Sequence, residues 1–508
     1  MRHRVGLAVV GALVAALTAG CVPAQKVDEE PSPTESGSSI RWSRCTAEAI
    51  KLNPSVAENF VADCGTVSVP QDWKTATNGK PADGKTFEIA MMRLRAKDQK
   101  DRIGSILINP GGPGGSGYEF GAYLAPQLTG LTPQFDIIGF DPRGVGKSNP
   151  VECISNEDLD ASFGYVPDPV TNPAFEGLVS INRRIGEDCG AKYGESLSLF
   201  STEQAAQDID AIRAALGEEK LNYLGFSYGT LLGAVYAQLF PTKIRAMVLD
   251  GAVDPTVTAA EGSEGQAMGF ERALNNFSTW CKANASSCKL GADPRKTIEN
   301  AIAQAQVRPA TGEGGRKATA GWVFYSVVSS LYSEEAWPYL ARAMEDLAKG
   351  DPRVTFLLAD SYAERDENGE YSNLFDANNA VNCADSDYPT QEQIRDLQSQ
   401  WRTKYPLFGA PLATGMLTCS LWPAKKDPYP TGKAEGAPPI VVIGTKGDPA
   451  TPYESTPKLA NMLGVGTVVT WEGEGHTAYP NTTCIRTAVD DYFIDLTVPA
   501  KDLTCPAK

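Results

Sequence analysis

Apolar residues in this chain fall in short runs that alternate with amphipathic stretches. The runs at 86–94 (TFEIAMMRL), 104–110 (GSILINP) and 135–141 (FDIIGFD) read as strands. A helical period follows at 202–217 (TEQAAQDIDAIRAALG), with Thr202 as the expected N-cap and Gly217 as the stop. Next come a strand at 221–226 (LNYLGF), a helix at 228–240 (YGTLLGAVYAQLF) and a strand at 244–252 (IRAMVLDGA). Strands alternating with helices predict an α/β fold with a mostly parallel central sheet. From 257 to 405 the pattern turns helical, as at 334–350 (EEAWPYLARAMEDLAKG) and 390–405 (TQEQIRDLQSQWRTKY). Strand-like runs return at 438–448 (PPIVVIGTKGD) and 466–476 (GTVVTWEGEGH). The simplest organisation is a core at 41–256, a helical lid inserted at 257–405, and the rest of the core at 406–508. No internal repeat is evident.

The N-terminal pattern is different. Arg2 and Arg4 precede an apolar run from Val5 to Leu17, too short to span a bilayer as a mature helix. Thr18, Ala19 and Gly20 then lead to Cys21. Residues 1–20 read as a signal peptide. The TAGC ending resembles a bacterial lipobox, with Thr18 where a branched aliphatic is usual, and so makes Cys21 the expected lipidation site. Several acyl chains there would anchor the protein to the outer face of the cell membrane; ordinary cleavage would leave it secreted. Residues 21–40, rich in proline, serine and acid, read as a disordered tether.

Charge and cysteine content narrow the function. With 62 acidic against 46 basic residues, the chain lacks the basic balance a nucleic-acid partner requires. Setting Cys21 aside leaves ten of the 11 cysteines, an even number that suits disulfides in an exported protein. Connectivity is not fixed by sequence. The spacings suggest neighbours in order: Cys45 with Cys64, Cys153 with Cys189, Cys281 with Cys288, Cys383 with Cys419, Cys484 with Cys505. Without a CxxC motif, and with few histidines, no metal site is expected. No organic cofactor is suggested either. The GVGKS of FDPRGVGKSNP fails as a phosphate loop, because Asp141 stands where the first glycine is needed. Asp141 and Arg143 are therefore expected to brace loops.

One stretch carries chemistry. Gly225-Phe226-Ser227-Tyr228-Gly229 fits a nucleophile elbow, with a strand before it and a helix after. A serine nucleophile needs a base. The chain has two histidines; His3 lies in the leader, so His476, on a glycine-rich strand end, is the expected base. The base needs an acid to fix its tautomer. Asp448, at the tip of VVIGTKGD, is expected there, and Asp250, at the end of AMVLDG, is the rival. Backbone N–H groups must hold the oxyanion. That of Tyr228 is one; the loop NPGGPGGSG (109–117) offers Gly111 or Gly112 as the other.

The GGPG loop, the DPRGVGKS turn, the GFSYGT elbow, the GDPATP loop and the GHTAYP loop, in that order, resemble the prolyl and tripeptidyl aminopeptidase branch of the α/β-hydrolases. The nearest likeness is to bacterial secreted or lipoprotein tripeptidyl aminopeptidases. The resemblance spans about 40 to 505 and implies serine hydrolysis that releases short peptides from free N-termini, with the helical insertion over the site. Prolyl aminopeptidases usually carry histidine before GGPG; Asn109-Pro110 here favours the tripeptidyl-like branch. Recognising a free amine requires acidic side chains in the lid. The candidates are Asp385 and Asp387, with Glu334 and Glu335 behind them. Two other readings stay open: a carboxylesterase using the same triad, and a surface binding protein that keeps the scaffold without catalysis.

Overall fold

In the computed structural model, which describes residues 39–508, the apolar runs become inner strands of a ten-stranded sheet. The expected leader (1–20), Cys21 and the tether as far as residue 38 lie outside the described residues. In chain order the strands are β1 (Ser43–Arg44), β2 (Phe60–Pro70), β3 (Thr86–Ala96), β4 (Gly104–Asn109), β5 (Phe135–Phe140) and β6 (Leu221–Phe226). They continue with β7 (Ile244–Asp250), β8 (Ala310–Thr311), β9 (Lys317–Ala318), β10 (Ile440–Gly447), β11 (Gly466–Glu474) and β12 (Leu503–Cys505). The sheet order is β1-β2-β3-β5-β4-β6-β7-β10-β11-β12; β8 and β9 form a separate hairpin. Pairing is parallel from β5 through β12 and antiparallel among β1, β2, β3 and β5.

The inner strands are mostly apolar and buried at nearly every position because both faces are covered. Ile106, Leu224 and Val248 face one layer, while Leu107, Tyr223 and Leu249 face the other. Helices Gly117–Leu124 and Thr483–Asp495 pack on the first face through Tyr118, Ala122, Ile485 and Val489. Helices Thr202–Ala215 and Tyr228–Leu239 pack on the second through Ile209, Ile212, Leu232 and Val235. The first of these begins one residue differently from expectation. Ser201, not Thr202, is the N-cap, its side chain accepting from the Gln204 N–H, which frees the Thr202 hydroxyl for another contact.

Between β7 and β10 the chain is helical from Ala259 onward apart from the β8–β9 hairpin, and the helices continue past 405 to Ser420. They bury an apolar core of their own, with Phe270, Leu274, Phe277, Val323, Leu340 and Trp401. Helix Asn172–Tyr193, which the sequence pattern does not single out, joins the two cores. Its Phe175 and Val179 enter the lid core, and its Ile181, Ile185 and Cys189 enter the sheet core. Five disulfides link Cys45 to Cys64, Cys153 to Cys189, Cys281 to Cys288, Cys383 to Cys419 and Cys484 to Cys505.

Candidate active site

The carboxyl ends of β4, β6, β7, β10 and β11 deliver five loops to one edge of the sheet, where open α/β sheets hold their ligands. β6 turns into helix Tyr228–Leu239 through Ser227, whose φ of 55° and ψ of −124° are costly for a residue with a side chain, by about 1–3 kcal/mol. The surroundings hold it there. The Ser227 N–H donates to the Asp250 carbonyl at 2.9 Å, and the Thr230 N–H and hydroxyl donate to the Ser227 carbonyl at 2.8 and 2.6 Å. The flanking glycines are needed for close approach. A Cβ on Gly225 would lie 2.3 Å from the Gly229 carbonyl oxygen, and one on Gly229 would lie 2.8 Å from that of Asn109.

Asp448, fully buried, follows β10, and His476 follows β11. The two Asp448 oxygens lie 3.0 and 2.9 Å from His476 Nδ1. Four further donors fix that carboxylate: the N–H groups of Ala450, Thr451 and Thr477 and the Thr451 hydroxyl, at 2.9, 2.8, 3.2 and 2.9 Å. With Nδ1–H donating to Asp448, His476 Nε2 is left free to accept a proton. Burial alone would lower the imidazole pKa; the Asp448 charge and hydrogen bond, with Asp250 behind them, outweigh it and raise it above its ordinary 6.5.

Asp250, the rival acid, is spent on the backbone of the histidine loop. It accepts from the Ala478 N–H at 3.0 Å and from the Tyr479 N–H at 2.7 Å. Burial pushes its carboxyl up to about 7 against those bonds. Through its carbonyl on Ser227 and its carboxylate on Ala478 and Tyr479, Asp250 ties the elbow to the histidine loop. Cε1 of His476 lies 3.4 Å from where a Cβ on Gly251 would sit, so the imidazole reaches the strand end that holds Ser227. Among the described residues the His476 ring bonds to Asp448 and Thr451 and not to Ser227 Oγ, and such catalytic bonds often close only on substrate binding.

The glycine loop after β4 presses against the elbow. A Cβ on Gly111 would meet the Phe226 carbonyl at 2.5 Å and the Tyr228 nitrogen at 2.9 Å. The Gly111 N–H itself donates to Asn109 Oδ1 at 3.0 Å, so of the two expected glycine donors Gly112 is the one left available. The Tyr228 N–H opens its helix and has no acceptor within it. Helix Gly117–Leu124 follows the loop, and Asp141 holds its start by accepting from the Ser116 hydroxyl and the Tyr118 N–H at 2.6 and 3.1 Å. Arg143, buried, reaches both Asp208 oxygens at 2.7 and 2.6 Å and the carbonyls of Gln71, Leu199 and Pro70.

The lid covers the histidine. The His476 N–H donates to the Tyr332 carbonyl at 2.8 Å, the Tyr332 ring stands edge-on to the imidazole at 5.4 Å, and Ser333 bridges to Gly475. The four expected lid acids fall in different places. Glu334 adjoins that bridge and lies close enough to Glu474 to perturb it. Burial, with a smaller push from Glu334, holds Glu474 above the usual carboxylate range against two hydrogen bonds from Asn276 Nδ2. Glu335 is exposed and takes the Ser333 hydroxyl. Asp387 is exposed beside Lys426.

Asp385 departs from expectation. It is buried, and its oxygens accept the Thr202 N–H and hydroxyl at 2.8 and 2.6 Å, so it braces the lid on the core rather than facing a ligand. Burial pushes its carboxyl up to about 7, against the bonds from Thr202. Glu474 was not among the expected acids; its place directly before the Gly475-His476 turn was the signal.

Residues 405–505 match the family described as TAP-like protein, and residues 104–314 match the alpha/beta hydrolase fold. The chain is 35% identical to serine protease Hip1 of Mycobacterium tuberculosis over 97% of its own length and 96% of the relative's. It is 36% identical to carboxylesterase B of the same organism, with the same coverage, 97% and 96%. It is 30% identical to tripeptidyl aminopeptidase of Streptomyces lividans over 92% of this chain and 86% of the relative.

Proposed function

The chain belongs to the TAP-like family of α/β-hydrolases and is a serine hydrolase, and from that premise we propose that it is an exported peptidase releasing short peptides, tripeptides foremost, from free N-termini. The observation that carries this reading is the Asp448–His476 pair delivered to the same sheet edge as a serine held at a positive φ. Ser227 Oγ attacks the carbonyl carbon of the scissile bond while His476 Nε2 takes its proton. Asp448 keeps Nδ1–H in place and stabilises the imidazolium. The N–H groups of Gly112 and Tyr228 receive the oxyanion, each such donor being worth about 3 kcal/mol of barrier. His476 passes its proton to the leaving amine, and the N-terminal fragment stays as an ester on Ser227. Water, activated by the same imidazole, then frees the fragment.

A desolvated ammonium needs a carboxylate partner. Among the four expected acids, Glu334 is the one supported for that role, because it borders the histidine loop and shares its surroundings with Glu474. Mass analysis of products from matched free and acetylated peptides tests the reading. Tripeptides cut from the free series alone are expected, with Ser227→Ala folded and inactive. The identity to carboxylesterase B favours carboxylesterase activity as a second reading. Turnover of esters alone would establish it in place of the first; equal cleavage of free and acetylated peptides would overturn the free-N-terminus reading. Export is supported by the leader pattern at 1–20 and by five disulfides, and Cys21 is the residue proposed to carry lipid.

A further inference from the structure

Helix Leu374–Asp385 of the lid touches both sides of the proposed oxyanion hole. One turn in, Asn378 Nδ2 donates to the Pro113 carbonyl at 2.9 Å. The helix backbone lies against the same loop: a Cβ on Gly114 would sit 2.3 Å from the Leu374 carbonyl oxygen and 3.0 Å from the Asn378 nitrogen. At its end, Asp385 takes the Thr202 hydroxyl at 2.6 Å, and that hydroxyl lies 2.6 Å from the Tyr228 phenol oxygen. The Thr202 hydroxyl has one hydrogen and donates it to Asp385, so it accepts from Tyr228. The relay Tyr228–Thr202–Asp385 is buried throughout. Tyr228 is also the residue whose backbone N–H is proposed to receive the oxyanion.

The helix is fixed to the core along its length. Asn373, its N-terminal neighbour, accepts from the Gly146 N–H at 2.9 Å and donates to the Gly144 and Val151 carbonyls at 2.8 and 3.0 Å. Asp376 accepts from the Cys153 and Ile154 N–H groups at 2.6 and 2.8 Å. The Cys383–Cys419 disulfide holds the far end.

We infer that this helix is a strut that sets the spacing between the two oxyanion donors, with Asn378, one turn in, and Asp385, at its end, as positioning residues. This rests on the proposed acyl-transfer reading of Ser227, but not on which acyl compound is cleaved. A lid built this way does more than cover the site: its correct docking completes the catalytic geometry.

The experiment measures kcat and KM of the full chain on a free-amine tripeptide anilide and on a nitrophenyl ester, per site titrated with a fluorophosphonate. Asp385→Asn, Tyr228→Phe and Asn378→Ala are compared with the unaltered protein. Donors displaced from the oxyanion act only in the transition state, so kcat should fall about 10- to 100-fold with KM within about twofold. Asp385→Asn combined with Tyr228→Phe should be no worse than the more severe single change, because both cut one relay. Tyr228→Phe deletes one oxygen and keeps the test open if Asp385→Asn fails to fold. Unchanged kcat in Tyr228→Phe and Asn378→Ala overturns the strut while leaving the serine reading intact. So does a loss that appears in KM, or only in the number of titratable sites. Failure of the unaltered protein to react with the fluorophosphonate overturns the serine reading and the strut together.

Discussion

In the proposed mechanism His476 must be neutral to take the Ser227 proton, and its surroundings set the pH at which that holds. Burial pulls its pKa down, while Asp448 pushes it up further, and the net is above 6.5. The rate should therefore rise with pH on the acid side, with the midpoint of log kcat/KM above that value. Asp448→Asn removes the charge that raises it and inverts the tautomer. The midpoint should shift to lower pH, and kcat should drop about 10,000-fold. A pH–rate series on both proteins checks this; an unmoved midpoint would show that Asp448 does not govern the imidazole. The serine and histidine were legible from local sequence, since the elbow glycines have a steric cause and only two histidines exist. Asp448 was expected over Asp250, but the reason it takes the imidazole was not legible. Both end apolar strands, and only the register of the histidine loop gives Nδ1 to Asp448 and the Ala478 and Tyr479 N–H groups to Asp250. Asp385 was visible as an acid, but its partner Thr202 is 183 residues away, and no local pattern encodes that contact.

At the scale of elements, the inner strands were legible because burial on both faces leaves them with dense apolar runs. Helix Asn172–Tyr193 was not, because its buried residues pass along its length from the lid core (Phe175, Val179) to the sheet core (Ile181, Ile185, Cys189), a division set by distant segments. The short strands β1, β8, β9 and β12 have two or three residues each, too few to show a period. The strut helix adds a pH effect that belongs to the element. Burial pushes Asp376 up to about 6 from an ordinary 3.8, against the Cys153 and Ile154 bonds, and Glu152 nearby adds to the push. The folded protein then holds a proton that the unfolded chain has released. The stability this provides is complete below pH 3.8 and is lost as pH rises through about 6. Asp376→Asn keeps an acceptor for both N–H groups and cannot titrate. Thermal melts should show the unaltered protein losing ground to Asp376→Asn between pH 4.5 and pH 7. An equal difference at the two pH values would mean that this carboxyl titrates alike in both states.

At the scale of the whole molecule, sheet and lid have separate cores, and each disulfide closes a loop of no more than 36 residues. The disulfides therefore stiffen pieces, while lid and sheet meet through hydrogen bonds such as Asn378 to Pro113 and His476 to Tyr332. Ten half-cystines demand an oxidising compartment, because cytosolic thiol buffers keep such bonds reduced. The proposed export route answers that demand, and the proposed anchor makes a separable claim about Cys21. In cells expressing the full chain, the protein should fractionate with membranes and have all ten of the other cysteines closed to thiol reagents. Cys21→Ser should move it into the medium or leave it unprocessed, without opening those ten, since lipid and disulfides depend on different steps. Membrane retention with an unmodified Cys21 in the mature protein would refute lipid anchoring. Accumulation inside the cell with free thiols would refute export itself, and the enzyme would then have to hold its lid helices together without the covalent links on which the Cys383 end of the strut depends.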